Sequence, residues 1–311
     1  MLFYDRSDGS RVRGLQAFNA ILPYVMRKRN ESSVLFSKDI DVESAIAYIR
    51  RKNAETGQGL PTRGAPGDTP REGAPRDEAA RDPVANDHYS LFGVLIAAAV
   101  RTIALKPRLN RFVHRRGVYH RRGISVSFIV KKSLTEGAAE GSAKIRFESG
   151  DTIGSAMEKI YDGIEAARSG EPRPDDREYE LAHRIPFGKA VLTGFFKFLD
   201  RFNIAPARMI EADPLYTSVY IANLGSIGLD TPYHDLYEWG TASIFMVVGR
   251  IFQKETRRSG GELRHFVNIK CTVDERIAEG IYYAHAVALF QRLVDKPEIL
   301  ELPPDLAKVE E

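Results

Sequence analysis

The sequence predicts a mixed α/β fold in a single domain. Helical and strand-like segments alternate along the 311 residues, but without the strict strand–helix–strand order of an all-parallel sheet. Hydrophobic residues make up 43% of the chain, which is enough to bury a substantial core. Several predicted strands are almost wholly apolar, as strands are when both faces of a sheet are covered. Together these observations predict helices packed on a largely buried sheet.

Six segments have the apolar spacing of helices. The segment 89–105 is expected to end at Lys106, because the residue before a proline is pushed away from helical geometry. Asp41 is a candidate N-cap for the helix that follows it. The predicted helices are 11–29, 42–52, 89–105, 152–168, 188–202 and 281–295.

The strands are predicted from short runs of β-branched and aromatic residues. Residues 117–132 resemble two strands that turn at Arg121, Arg122 and Gly123, and the second of them is largely apolar. The predicted strands are 32–42, the two within 117–132, 143–151, 217–225, 242–255 and 265–273.

Residues 54–87 differ from the rest of the chain in composition. They are rich in proline, glycine, alanine and charge, and contain few large aliphatic residues. Such a segment cannot bury enough apolar surface to offset the entropy of ordering it. A linker between domains is the alternative, but about 50 residues are few to fold alone, and the strand at 32–42 needs a sheet to join. We therefore expect a disordered insertion at 54–87 within one domain.

Composition and motifs exclude several function classes. The net charge is only +3, so no strong overall field favours nucleic acid as a partner. The longest apolar run is about half of the roughly 20 residues that a membrane span needs, so we expect no transmembrane segment. The single cysteine, Cys271, argues against a disulfide framework, and the first residues have no apolar signal core, so a cytoplasmic location is expected.

Other cofactor and metal sites are not expected. The chain contains no GxGxxG, GxxxxGK[ST] or GxSxG motif, which argues against dinucleotide, nucleoside triphosphate and serine hydrolase chemistry. His114 and His120 have no carboxylate or cysteine close enough in sequence to complete a metal site. The basic run 108–123 is typical of a solvated hairpin, and the alternative is that it binds phosphates of coenzyme A or of a nucleic acid.

Five stretches taken in order resemble a known family. They are LKPRLNRF, VYHRRGISVSFIV, YIANLGSIGLD, MVVGRIFQKE and DERIAEGIYYAHAVALFQRLVDKPEIL. The series resembles the catalytic domain of the 2-oxoacid dehydrogenase acyltransferases (dihydrolipoyl transacylases), over roughly Gly9 to Leu300 outside the insertion. The resemblance implies the two-layer fold of chloramphenicol acetyltransferase, with helices packed on a mixed sheet. It also implies a homotrimer with active sites between subunits.

Two departures from the family fall on its chemistry. The catalytic histidine that begins the family's HxxxDG motif aligns with Glu275, and the aspartate of that motif aligns with Glu279. The family serine whose hydroxyl helps hold the oxyanion aligns with Ala222. By resemblance Glu275 is the candidate base, and Asn223 with nearby amides is the candidate for polarising the acyl carbonyl. Glu279 is expected to brace the loop.

Further candidate residues surround these positions. Arg276 and Gly280 are expected to support the loop, and Ser226 is a candidate for binding substrate or coenzyme A. The stretch TPYHDLYEWG (231–240) contains His234, which is a candidate for a displaced base or a substrate contact. It also contains Tyr237 and Trp239, which are candidates for binding substrate or coenzyme A. The alternative for this stretch is an aromatic turn packed at the trimer interface.

The change from histidine to glutamate leaves two functions open. A solvated glutamate with a pKa near 4.3 takes a proton from a thiol near 8.5 at a cost of about 6 kcal/mol, against roughly 3 for histidine. Burial without a partner can close that gap. One hypothesis is therefore a stand-alone acyltransferase that uses coenzyme A thioesters or an acyl carrier, with no tightly bound cofactor. The other is a catalytically inactive trimer that serves in assembly or binding.

The helix at 188–202 is unusually aromatic. Phe195, Phe196, Phe198 and Phe202 occupy more than one of its faces. Core packing is the simplest explanation. A lid over an acyl pocket or a surface that touches lipid is the alternative.

Overall fold

The computed structural model describes residues 5–56, 88–131, 140–169, 187–255 and 261–305. Most of the predicted insertion, residues 57–87, therefore lies outside the described residues. The helix before it continues to Thr56, so residues 54–56 belong to that helix.

The helices agree with the predicted ones at most positions. The helix expected at 11–29 spans only nine residues, because Arg11 belongs to a strand and Gly14 has a φ of +72°, outside helical geometry. A six-residue helix, α6, was too short for its apolar periodicity to predict it. The helices are α1 (Ala17–Val25), α2 (Glu43–Thr56), α3 (Leu91–Leu105), α4 (Ile153–Ser169), α5 (Gly188–Arg201), α6 (Ala207–Ala212) and α7 (Gly280–Asp295).

The strands form two sheets. The larger has six strands in the order β2-β9-β8-β7-β5-β6, and the smaller has three in the order β1-β4-β3. In the larger sheet β7 runs parallel to β5 and β8, and the other neighbours are antiparallel. The strands are β1 (Gly9–Arg11), β2 (Ser33–Asp41), β3 (Arg111–His114), β4 (Gly117–Arg121), β5 (Ile124–Lys131), β6 (Glu140–Phe147), β7 (Val219–Asn223), β8 (Ile244–Glu255) and β9 (Leu263–Asp274).

The two strands in 117–132 do not form the hairpin expected from the sequence. β4 pairs with β1 and β3 in the small sheet, whereas β5 joins the large one. Gly123 has a φ of +75°, and the backbone N–H of Arg122 donates to the carbonyl of Asp8 instead of closing a hairpin. The chain thus passes from one sheet to the other at this turn.

The core lies between one face of the large sheet and four helices, α2, α3, α4 and α7. α3 is buried along most of its length, and it packs on α4 and α7. Alternate residues of the central strands, such as Ile221, Met246 and Ile269, point into this layer. The predicted mixed α/β class is confirmed. Within the described ranges, no helix is long and apolar enough to cross a bilayer.

The opposite face of the sheet is covered by the chain that connects β7 to β8. Tyr220, Phe245 and Val247 point to this face and pack with Leu236 of the connection. The candidate residues at 223–239 therefore lie on or beside this second face.

Candidate functional site

Glu275 is exposed at the end of β9. Its backbone N–H donates to the carbonyl of Ser32, which fixes the main chain of the turn. Its carboxylate makes no hydrogen bond or ion pair with any residue that the structure describes. An ordered turn thus presents an unpaired carboxylate to the outside of this chain.

The residues before and after Glu275 form a buried ion pair with each other, which fixes the main chain of this turn. Asp274 is 0% exposed, and its carboxylate accepts from Arg276 Nε at 2.8 Å and Nη2 at 2.7 Å. The same carboxylate accepts from Ser32 Oγ at 3.1 Å, and Arg276 Nη1 donates to the carbonyl of Met26 at 2.9 Å. Because both neighbours of Glu275 point inward, its own side chain must point outward.

Glu279 and Gly280 begin the helix that follows. Glu279 occupies the N-cap position of α7, but its side chain makes no capping hydrogen bond. Its carboxylate instead accepts from Arg108 Nη1, at 3.1 and 3.2 Å. Glu279 therefore ties the start of α7 to the residues that precede β3. This ties down the end of the loop that carries Glu275.

Asn223 and Ser226 form one turn at the end of β7. Asn223 Oδ1 accepts from the backbone N–H of Ser226 at 3.3 Å, and Ser226 Oγ donates to the carbonyl of Asn223 at 2.9 Å. The Asn223 Nδ2 group has no hydrogen-bond partner in the described part of the chain. It is therefore a free donor beside Ala222, which aligns with the family serine.

His234 and Tyr237 lie over the second face of the sheet. The imidazole of His234 stacks on Phe245 with ring centroids 4.0 Å apart, and its Nδ1 lies 2.7 Å from the carbonyl of Asp235. Tyr237 packs beside the same rings and is 38% exposed. Both side chains keep part of their surface open to a ligand or to a neighbouring subunit.

Trp239 is engaged by the protein itself. Its ring stacks on Phe196 of α5 at 5.4 Å, and its indole N–H donates to the carboxylate of Asp213. Lys197 lies over the other part of the ring. These are the contacts of a packing residue, and the assignment of Trp239 to substrate binding stays a prediction.

Within one chain, the candidate base and the candidate oxyanion donor do not meet. Asn223 is in register with Val248 of β8, which is in register with Ile269 of β9. Glu275 lies six residues further along β9, which corresponds to about 20 Å at roughly 3.3 Å per residue. A site that uses both residues therefore requires two subunits.

His234 lies closer to the base. Its partner Phe245 is in register with Thr272, three residues before Glu275. That offset corresponds to about 10 Å along the strand. Measured along the strand, His234 therefore lies nearer to Glu275 of the same chain than Asn223 does.

Arg29 is a supporting residue that the sequence did not indicate. It is buried, and its Nη1 and Nη2 atoms donate to the carbonyls of Tyr237 at 2.8 Å and Gly240 at 2.6 Å. It thereby anchors the connection that carries His234 to the segment that precedes β2. A contact across more than 200 residues leaves no local signal.

The only cysteine is unsuited to nucleophilic chemistry. Burial raises the pKa of the Cys271 thiol to about 12, so the reactive thiolate is scarce at neutral pH. Cys271 lines an apolar cavity of about 90 Å³ between the sheet and α7, together with Val273 and Tyr283. The Tyr283 hydroxyl donates to the carbonyl of Asp274, so this cavity reaches the base of the Glu275 turn.

Comparison with known proteins gives no match at the level of sequence. No family model matches the chain. No curated protein matches it either.

Solved structures, in contrast, are similar over almost the whole chain. A probable dihydrolipoamide acetyltransferase from Listeria monocytogenes is 13% identical with a TM-score of 0.54, over 92% of this chain and 95% of that one. A dihydrolipoamide acetyltransferase from Azotobacter vinelandii, studied for a serine, a histidine and an asparagine in its catalytic mechanism, is 11% identical with a TM-score of 0.50, over 94% and 95%. A chloramphenicol acetyltransferase is 13% identical with a TM-score of 0.52, over 94% and 99%. The chain therefore has the fold of chloramphenicol acetyltransferase and of the acyltransferase cores of 2-oxoacid dehydrogenase complexes, as its sequence motifs predicted.

Proposed function

We propose that this protein is an acyltransferase that works as a homotrimer, with Glu275 as the general base. The observation that carries the proposal is the unpaired, outward-pointing carboxylate of Glu275, held on an ordered turn by the buried pair of Asp274 and Arg276.

A neighbouring subunit supplies what one chain lacks. The turn at 223–226 lies about 20 Å along the sheet from Glu275 of its own chain, so the Asn223 donor serves the Glu275 of another subunit. Contact with that subunit also removes water from the carboxylate. An unpaired carboxylate that loses water becomes a stronger base.

The proposed reaction transfers an acyl group from a coenzyme A thioester to a thiol or hydroxyl. As the sulfur or oxygen of the attacking group bonds to the carbonyl carbon of the acyl group, Glu275 accepts the proton of that attacking group. The oxyanion that forms accepts hydrogen bonds from Asn223 Nδ2 and from backbone N–H groups of the 223–226 turn. The intermediate then expels the coenzyme A thiolate, which takes the proton back from Glu275.

Glu275→Gln tests the role of the base. We expect the variant to lose about a hundredfold in turnover, because an amide cannot accept the proton. The measurement is release of free coenzyme A from a panel of acyl thioesters with thiol and alcohol acceptors.

The matched control is Glu165→Gln, which removes an exposed carboxylate from α4 without touching the site. It should leave the rate unchanged. An equal rate in Glu275→Gln and the unaltered protein would remove Glu275 from the mechanism.

A mixture of two inactive variants tests the position of the site between subunits. Glu275→Gln and Asn223→Ala are each expected to be inactive alone, since each removes one half of every site. In trimers assembled from equal amounts of both chains, about one site in four combines the intact half of each chain. The mixture should therefore recover about a quarter of the normal activity. If it stays inactive although mixed trimers form, the two residues do not share a site across subunits.

A non-catalytic trimer is the second candidate, and one observation favours it. Ala222 cannot donate a hydrogen bond at the position where the family serine does, and loss of one such donor typically costs a hundredfold or more. If the unaltered protein forms trimers but transfers no acyl group from any thioester in the panel, this second function is the better one.

A further inference from the structure

Helix α5 and the residues at its two ends carry an apolar stripe that is exposed within the described part of the chain. Val191, Phe195 and Phe198 are spaced by three or four residues and therefore lie along one side of the helix, while Phe187 and Phe202 flank its two ends. Their exposed fractions range from 40% to 85%. The rings of Phe198 and Phe202 pack together with centroids 5.0 Å apart, and a group of exposed apolar side chains on a surface indicates an interaction site.

A different side of α5 attaches it to the protein. Phe196 is buried against Tyr216 and Trp239. Asp200 Oδ1 forms an ion pair with Arg6 Nη1 at 2.8 Å. The exposed stripe is thus not the inward face of a displaced helix. Its orientation is set by the contacts on the other side.

Among the described residues of α5, the exposed charged side chains are basic. Lys189, Lys197 and Arg201 are exposed on α5, whose only acid, Asp200, is occupied by Arg6. Arg115 is exposed next to the end of the helix, where its Nη1 donates to the carbonyl of Arg201 at 3.1 Å. Exposed phenylalanines together with exposed cations are the composition of helices that lie in a bilayer surface.

We propose that α5 binds the surface of an anionic lipid bilayer. The stripe enters the boundary between headgroups and acyl chains, about 5–10 Å deep, and the cations contact the lipid phosphates. A symmetric contact between the α5 helices of two copies is disfavoured, because it would bring these cations together. This binding is independent of acyl transfer.

The test is sedimentation of the full-length protein with vesicles. We expect it to bind vesicles of phosphatidylcholine with phosphatidylserine, to bind pure phosphatidylcholine much less, and to be released by salt. Phe195→Ser with Phe198→Ser should abolish binding. Lys197→Gln with Arg201→Gln should weaken it by about five-fold for each lost charge.

Tyr161→Ser is the matched control. Tyr161 is also an exposed aromatic residue on a helix, but its helix, α4, carries Glu158, Asp162 and Glu165. This variant should bind as the unaltered protein does. The proposal is overturned if the unaltered protein does not bind the anionic vesicles, or if the double phenylalanine variant binds them equally well.

Sedimentation velocity of the same variants separates a lipid surface from a second copy. If the double phenylalanine variant has a smaller oligomeric state than the unaltered protein, another subunit covers the stripe and the lipid proposal is wrong. An unchanged oligomeric state together with lost vesicle binding supports it.

Discussion

Asp274→Asn is expected to destabilise the protein by about 3–5 kcal/mol, because it leaves the buried guanidinium of Arg276 without its counter-charge. Arg276 is 4% exposed, and Asp274 accepts from its Nε, its Nη2 and its backbone N–H. Ser32 Oγ also donates to this carboxylate. Asparagine keeps the shape but can accept at only one oxygen. The midpoint of urea unfolding measures the loss.

The matched variant removes the whole pair. Asp274→Asn combined with Arg276→Met deletes the uncompensated charge and replaces it with an apolar side chain of similar length. It should be more stable than Asp274→Asn alone, since replacing both members of a buried pair costs much less than breaking it. A single variant that loses under about 1 kcal/mol, or a double variant no better than the single one, would contradict the role of the pair.

Comparing Asp274→Asn with Glu275→Gln distinguishes a residue that supports the turn from a residue that takes part in the proposed reaction. Glu275→Gln should leave unfolding unchanged, because its carboxylate has no partner among the described residues. Asp274→Asn should lower both stability and acyl transfer, since it frees the turn that positions Glu275. The buried pair therefore links the stability of this end of the sheet to the proposed activity.

The fold was predictable where its signals are local. The apolar runs that became β5, β7, β8 and β9 and the long buried helix α3 lie within a few residues of their predicted bounds. The motif series also predicted the topology that the solved structures share. The prediction that β4 and β5 pair with each other was wrong. Both strands look alike in sequence, and only the tertiary structure decides which sheet each one joins.

The site was predictable only in part. Strand alternation accounts for the opposite orientations of Glu275, which is exposed, and its neighbours Asp274 and Arg276, which are buried. The pairing of Glu279 with Arg108 and the anchoring by Arg29 depend on contacts between distant segments. Such contacts have no periodicity that a sequence could reveal. The meeting of Glu275 with the 223–226 turn depends on a second subunit and stays a prediction.

The protein is expected to lose stability between pH 6.5 and 4 because of His114. Burial lowers the pKa of this imidazole to about 4, and the nearby Arg6 guanidinium adds to the effect, while Asp200 and Asp8 oppose it. The unfolded chain, with an ordinary histidine pKa near 6.5, takes up its proton first as the pH falls. Stability is therefore complete above about pH 6.5 and decreases progressively below it. The full loss across this window is about 3 kcal/mol.

His114→Gln isolates this contribution. Glutamine does not titrate, so the variant should show a shallower decrease in unfolding free energy between pH 6.5 and 5, by about 2 kcal/mol. Carboxylates titrate mostly below this range, which keeps them out of the comparison. Burial also lowers the pKa of His120, so a smaller slope of the same sign should remain.

The control for this experiment is His285→Gln. His285 is exposed on α7, and its replacement should leave the slope unchanged. The comparison rests on slopes and not on absolute stabilities, so it holds even if the glutamine packs less well than the imidazole. Equal slopes in His114→Gln and the unaltered protein would show that His114 takes up its proton over the same pH range in the folded and the unfolded state. The imidazole would then be paired with Asp200, whose Oδ2 lies 3.7 Å from its Nδ1, and burial would not control its charge.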